Sequence, residues 1–152
     1  MTLHQLRSAE LGTVAPNAVL VAVDLSRTSL RAADYAAGLA RRSGVGVVGV
    51  YVRQSNPLLL TVPAASVYAH SAENEVAEEA GEYLAESAAR LGTAHVFTVL
   101  DGSPLPAIRE LARELRVSAL VVGACEGWVH RRFGSLPARL ARTAPCPVII
   151  VP

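Results

Sequence analysis

Five short apolar runs constrain this chain more than any other feature. They are VLVAV at Val19–Val23, VGVVGVYV at Val45–Val52, HVFTVL at His95–Leu100, ALVV at Ala119–Val122 and VIIV at Val148–Val151. Apart from the polar residues of the third, they lack the polar-out alternation of a half-exposed strand, which points to strands buried on both faces. Helical patterns separate them. Ser26 and Thr28 offer caps for a helix to about Arg42, with Ala33, Ala36, Ala37 and Ala40 on one face and Ser43-Gly44 as its stop. A long helix is predicted over about 65–91, with a stripe of Val76, Ala80, Tyr83, Leu84 and Leu91 and an acidic, solvated opposite face. Ser103-Pro104 and Ser135 with Pro137 start two more helices. Strands alternating with helices imply an α/β fold, a single doubly wound domain with a five-stranded parallel sheet and helices on both faces.

The 152 residues suffice for one domain with its own core. Residues 1–16 read as a flexible N-terminal tail and 17–152 as the α/β domain. The start lacks a basic-then-apolar leader, and no apolar run approaches the roughly 18 residues of a membrane span. A cytoplasmic protein with no membrane attachment is expected. The net charge of +1 gives no basic field for nucleic acid. All 14 basic residues are arginine. The lack of lysine excludes a P-loop lysine, a pyridoxal-phosphate Schiff base and the lysine of a receiver domain. Cys125 and Cys146 read as reduced thiols, and the four histidines show no metal-ligand spacing.

In such sheets ligands sit beyond the C-terminal strand ends, where the strand order reverses. The ends here carry Asp24, Asp101 and Gly123. Gly46 and Gly49 leave room for close approach to one face of the second strand. No dinucleotide fingerprint, nucleophile elbow or catalytic triad is present. What remains is VVGACEGWVHRRFGS, Val121 to Ser135. Gly134-Ser135 opens a helix with backbone N–H groups, a hydroxyl and the helix dipole, a combination that favours an anion, and Arg131 and Arg132 lie just before it. The plainer reading is a tight turn at Gly134 and a simple N-cap at Ser135. Residues 53–63, with Leu58–Leu60, read as apolar packing under a loop or as a lid or interface. The uncharged last strand is a poor edge to leave bare, so self-pairing in a homodimer is expected through Val148, Ile149, Ile150 and Val151.

Three segments carry a resemblance: VLVAVDLSRTSLRAADYAAGLA, DGSPLPAIRELARELRVSALVVGA and FGSLPARLARTAPCPVIIVP. Through them the chain resembles the universal stress protein family over about Asn17 to Pro152. The resemblance implies strand order 3-2-1-4-5, dimerisation through the last strand and, as in many members, ATP as ligand, with magnesium. ATP-binding members carry G-x2-G-x9-G-[S/T] after the fourth strand. Here Gly123 and Gly134-Ser135 match, Glu126 stands at the middle glycine, Gly127 is its candidate substitute, and the loop is two residues shorter. A carboxylate at that point repels a triphosphate by roughly 1–4 kcal/mol at 4 Å, and Trp128 and Phe133 compete for phosphate space or pack on the sheet end. By resemblance, Ala22, Val23, Asp24, Ser26 and Val50 hold the adenosine end, and Val122, Gly123, Gly127, Gly134, Ser135 and Leu136 complete the nucleotide-binding set. The reading is a non-catalytic, regulatory stress-response homodimer with a degraded adenine-nucleotide site. The alternative is a nucleotide-dependent switch or weak ATPase, with Glu126 the candidate base.

Overall fold

The computed structural model describes residues 14, 16–54, 63–125 and 135–152. Along the chain run β1 (Val19–Ala22), α1 (Arg27–Ser43), β2 (Val47–Arg53), α2 (Pro63–Leu91), β3 (His95–Asp101), α3 (Pro104–Glu114), β4 (Ala119–Gly123), α4 (Leu136–Thr143) and β5 (Val148–Val151). The strands form one parallel sheet in the order β3-β2-β1-β4-β5. Fold and order are those expected. The direction of winding reverses between β1 and β4, which fixes where a ligand crevice opens.

Alternate strand residues feed two cores. Leu20, Val48, Val50, Leu120 and Val122 pack with Ile108, Leu111 and Ala112 of α3 and Leu140 of α4. Val19, Val21, Val47 and Val121 face the other way, onto Ala32, Ala33, Ala36 and Ala40 of α1 and Ala80, Leu84 and Ala88 of α2. Burial on both faces explains why the strand runs have no polar alternation. The alanine face brings α1 close to the sheet. Ser26 caps α1, accepting from the Ser29 N–H, and Gly44 ends it in the left-handed conformation at φ 67°.

Several boundaries shift. β2 starts at Val47 rather than Val45 and continues to Arg53, because Arg53 pairs with Asp101 at the end of β3. α2 starts at Pro63, two residues early. Ser103 occupies the N-cap of α3 but makes no side-chain capping bond. The expected close approach at Gly49 is real: a Cβ there would stand 2.4 Å from Leu84 Cδ2 and 2.5 Å from Phe97 Cδ2. The two glycines do not share one face, contrary to expectation: a Cβ at Gly46 would meet Val14 Cγ1 at 2.3 Å, and Val14 belongs to the opposite core from Leu84 and Phe97. Val14 falls within the expected 1–16 tail, yet it is buried in the first core, so the ordered packing begins before residue 17.

β5 is an edge strand, as argued from its sequence. Val148 packs at the margin of one core and Ile149 and Val151 at the margin of the other, while Ile150 is 43% exposed. Among the described residues no helix is long and apolar enough to cross a membrane.

Candidate functional site

The turn after β1 is built from short polar side chains. Leu25 takes a positive φ of 64°, which swings the chain from the strand end into α1. The Asp24 carboxylate accepts from the Ser26 N–H at 3.0 Å, and the Asp24 N–H donates to Ser29 Oγ at 3.2 Å. Ser29 Oγ in turn donates to the Ser26 carbonyl at 2.9 Å. Partial burial opposes ionisation of Asp24, but hydrogen bonds from Ser26, Ser29 and the backbone outweigh it, and the carboxyl sits below its ordinary range. Asp24 is thus a fixed anion and hydrogen-bond acceptor at the C-terminal end of the central strand.

Beside it lies a cleft of about 440 Å³, within the range of small-molecule sites. Of the residues expected to hold a nucleotide, Ala22, Val23, Asp24, Ser26, Val50, Val122, Gly123 and Leu136 all line this one cleft. Ser135 does not line it. It caps α4, accepting from the Ala138 N–H at 3.3 Å, directly before Leu136. Gly127 and Gly134, together with Glu126, Trp128, Arg131, Arg132 and Phe133, lie outside the described residues. So does the apolar Leu58–Leu60 segment.

Other lining residues were not among those expected to hold the nucleotide: Ser29, Tyr51, Val52, Gln54, Pro104, Ile108, Cys125 and Pro137. Tyr51, Val52 and Gln54 extend the β2 end beyond Val50, and Ile108 and Pro104 belong to α3. A rule of adjacency to the strand ends finds Tyr51, Val52 and Cys125. It does not find Ile108, which arrives from a helix whose periodicity shows only that the residue is buried.

Tyr51 and Arg53 tie this rim to α2 and β3. The Tyr51 hydroxyl donates to the Glu73 carboxylate, and burial together with that neighbour raises the phenol above its usual range. Glu73 is therefore half-buried and partnered, an exception to the solvated acidic face expected for α2. Arg53 grips Asp101 through Nε at 2.8 Å and Nη2 at 3.0 Å and donates to Asn74 Oδ1 at 2.7 Å. Asp101 stands at a strand end as expected, but its carboxylate is held by Arg53 and it does not line the cleft.

Aliphatic walls from Val50, Val52, Ile108 and Leu136 suit a flat, largely apolar ring, and Asp24 can accept from its polar edge or from a sugar hydroxyl. Among the described residues no cluster of three His, Cys, Asp or Glu could hold a metal ion. Cys125 and Cys146 are both free thiols, and burial raises the Cys146 thiol above its ordinary range.

The fold and this cleft define a class: doubly wound α/β proteins whose ligand crevice opens at the switch point of a five-stranded parallel sheet. Within that class the Universal stress protein family model matches residues 17–152, and the chain belongs to that family. Solved structures agree. A universal stress protein crystallised in complex with cAMP is 28% identical, with 88% of this chain and 95% of that one covered and a TM-score of 0.71. UspA from Lactobacillus plantarum is 25% identical, with 91% and 99% covered and a TM-score of 0.71. The Archaeoglobus fulgidus universal stress protein in complex with dAMP is 25% identical, with 88% and 96% covered and a TM-score of 0.64. A comparison with curated proteins gave no match.

Proposed function

We propose that this chain is a non-catalytic, regulatory protein of the stress response that binds an adenine nucleotide in the switch-point cleft and works in the cytoplasm as a homodimer joined through β5. One observation carries the nucleotide reading. Eight residues expected to hold a nucleotide line a single cleft, with the Asp24 acceptor set against aliphatic walls. Related proteins bind cAMP and dAMP, which supports the same ligand class here. The exposed Ile150 on the β5 edge supports the dimer.

The ligand is a nucleoside monophosphate in preference to ATP. Glu126 stands in sequence where ATP-binding members carry a glycine, and the loop is two residues short of their pattern. Each added phosphate brings more negative charge towards that carboxylate, a cost of roughly 1–4 kcal/mol for one pair at 4 Å. If ATP is taken up, magnesium enters with its phosphates.

The test is to denature the protein as purified and chromatograph the supernatant, then to compare AMP with ATP and magnesium on the apoprotein. Released or titrated adenine nucleotide, with AMP the tighter, supports the reading. Absence of both sinks it. Glu126→Gly narrows the gap between AMP and ATP; an unchanged gap refutes the repulsion argument.

A further inference from the structure

Three short hydroxyl side chains occupy the start of α1, and they act differently. Ser26 caps the helix, and Ser29 bonds to the Asp24 N–H and the Ser26 carbonyl, all within the turn. Thr28 reaches away. Its hydroxyl donates to the Ala124 carbonyl at 2.7 Å, across 96 positions of chain, and the residue is 7% exposed. Just before Ala124, β4 lies in direct backbone contact with the same helical turn. A Cβ on Gly123 would fall 2.6 Å from the Ser29 nitrogen and 2.6 Å from the Thr28 carbonyl carbon. The Ala124 N–H is also fixed, donating to the Val151 carbonyl at 2.7 Å. Both polar groups of Ala124 are therefore held, one by β5 and one by Thr28.

This bond lies between two walls of the cleft. Asp24, Ser26 and Ser29 stand on the α1 side, and Val122, Gly123 and Cys125 on the β4 side. We propose that Thr28 is a positioning residue for nucleotide binding: its hydroxyl clamps the end of β4 to the first turn of α1 and so sets the distance between Asp24 and the Gly123–Cys125 wall. The proposal rests on the nucleotide reading above. Thr28 itself does not line the cleft and need not touch the ligand. Hydroxyl side chains near a helix start can bond to backbone groups within their own turn. Here the local bonds are already made by Ser26 and Ser29, and the contact-distance fit at Gly123 gives the Thr28 bond a wall to hold.

Thr28→Val keeps the shape and removes the donor, and Thr28→Ser restores the donor. The test uses the full chain with two readouts: AMP affinity by calorimetry, and the rate at which iodoacetamide alkylates Cys125, with Cys146 as internal control. Thr28→Val weakens AMP binding about tenfold, the order of one lost hydrogen bond, while the melting temperature drops by no more than about 4 °C. It speeds Cys125 alkylation and leaves Cys146 unchanged. Thr28→Ser stays near wild type in both. Wild-type affinity and an unchanged Cys125 rate in Thr28→Val overturn the clamp. Equal losses in both variants that track a general fall in melting temperature also overturn it, because the role is then bulk stability. If wild type binds neither AMP nor ATP, the nucleotide reading fails, and with it the binding role of Thr28. The Cys125 rate then separately shows whether the clamp itself exists.

Discussion

Replacing Gly123 by alanine sets a methyl group where the first turn of α1 already stands. The new carbon would lie 2.6 Å from the Ser29 nitrogen, 2.6 Å from the Thr28 carbonyl carbon and 2.7 Å from Thr28 Oγ1, where ordinary contact starts at 3.4 Å. Two of those atoms are backbone, so no side-chain rotation relieves the clash. Either β4 or the start of α1 must move, and the Thr28 to Ala124 bond stretches with it. Overpacking of this kind costs about 1–3 kcal/mol, and a lost hydrogen bond adds about 1 kcal/mol. The lower entropy of an unfolded alanine offsets about 0.4–1 kcal/mol. The net is destabilisation by about 1–3.6 kcal/mol, or a fall of roughly 2–14 °C in melting temperature for a chain of this size. Gly38→Ala is the control. Gly38 lies inside α1, and its nearest neighbour is the flexible Arg42 Nη1 at 3.3 Å. Removing a glycine from a helix interior gains up to about 1 kcal/mol, so this variant melts at or above wild type. The assay is reversible urea and thermal unfolding of both variants beside wild type. A Gly123→Ala protein as stable as Gly38→Ala refutes the close packing of β4 on α1.

Asp24→Asn probes the turn by its pH dependence. The Asp24 carboxyl titrates below its unfolded value of 3.8 when folded, so its ionised form adds stability above that pH, and the contribution fades as pH falls through the folded value. Wild type is therefore more stable than Asp24→Asn at neutral pH and the two converge below about pH 4 in acid titrations followed by circular dichroism; a gap that widens in acid contradicts the assignment. Leu84→Ala empties a fully buried site against Gly49 and costs about 2–5 kcal/mol by urea unfolding; a loss under 1 kcal/mol would mean that α2 does not pack there. Ile150→Arg puts a charge on the exposed β5 edge. The proposed β5 dimer requires wild type to sediment as a dimer and the variant as a monomer; a monomeric wild type removes the dimer.

Much of the scaffold was legible because burial writes itself into strand composition. β1 and β4 are buried on both faces, and their valine and leucine runs announce it; β5 carries the same kind of run yet sits at the sheet edge with Ile150 exposed. Helix ends were legible where a local signal sets them, as with Ser26 and Gly44. Pairings distant in the chain were not. Gly49 signalled a close neighbour, but that Leu84 and Phe97 fill the space depends on how α2 and β3 pack. Asp101 looked like a ligand-facing carboxylate until the β2–β3 register set Arg53 opposite it. Glu73 was one of six glutamates on a solvated face, and only the end of β2 supplies Tyr51 to single it out. Thr28 read as a candidate cap beside Ser26, because nothing within four residues shows that its partner is Ala124. For the cleft itself, the strand-end residues were legible as a set. The helix-borne wall from Ile108 and Pro104 was not, since periodicity gives the buried face of a helix and not its neighbour.

In the proposed function, the cleft between β1, β2 and β4 holds an adenine nucleotide around Asp24. The decisive measurement is calorimetric titration of nucleotide-free protein with AMP, beside the same titration of Asp24→Ala. Wild type is expected to bind saturably at one site per chain, and the variant at least tenfold more weakly, as follows from a lost hydrogen bond to a charged acceptor. No heat with wild type, or equal affinity in both proteins, would contradict it.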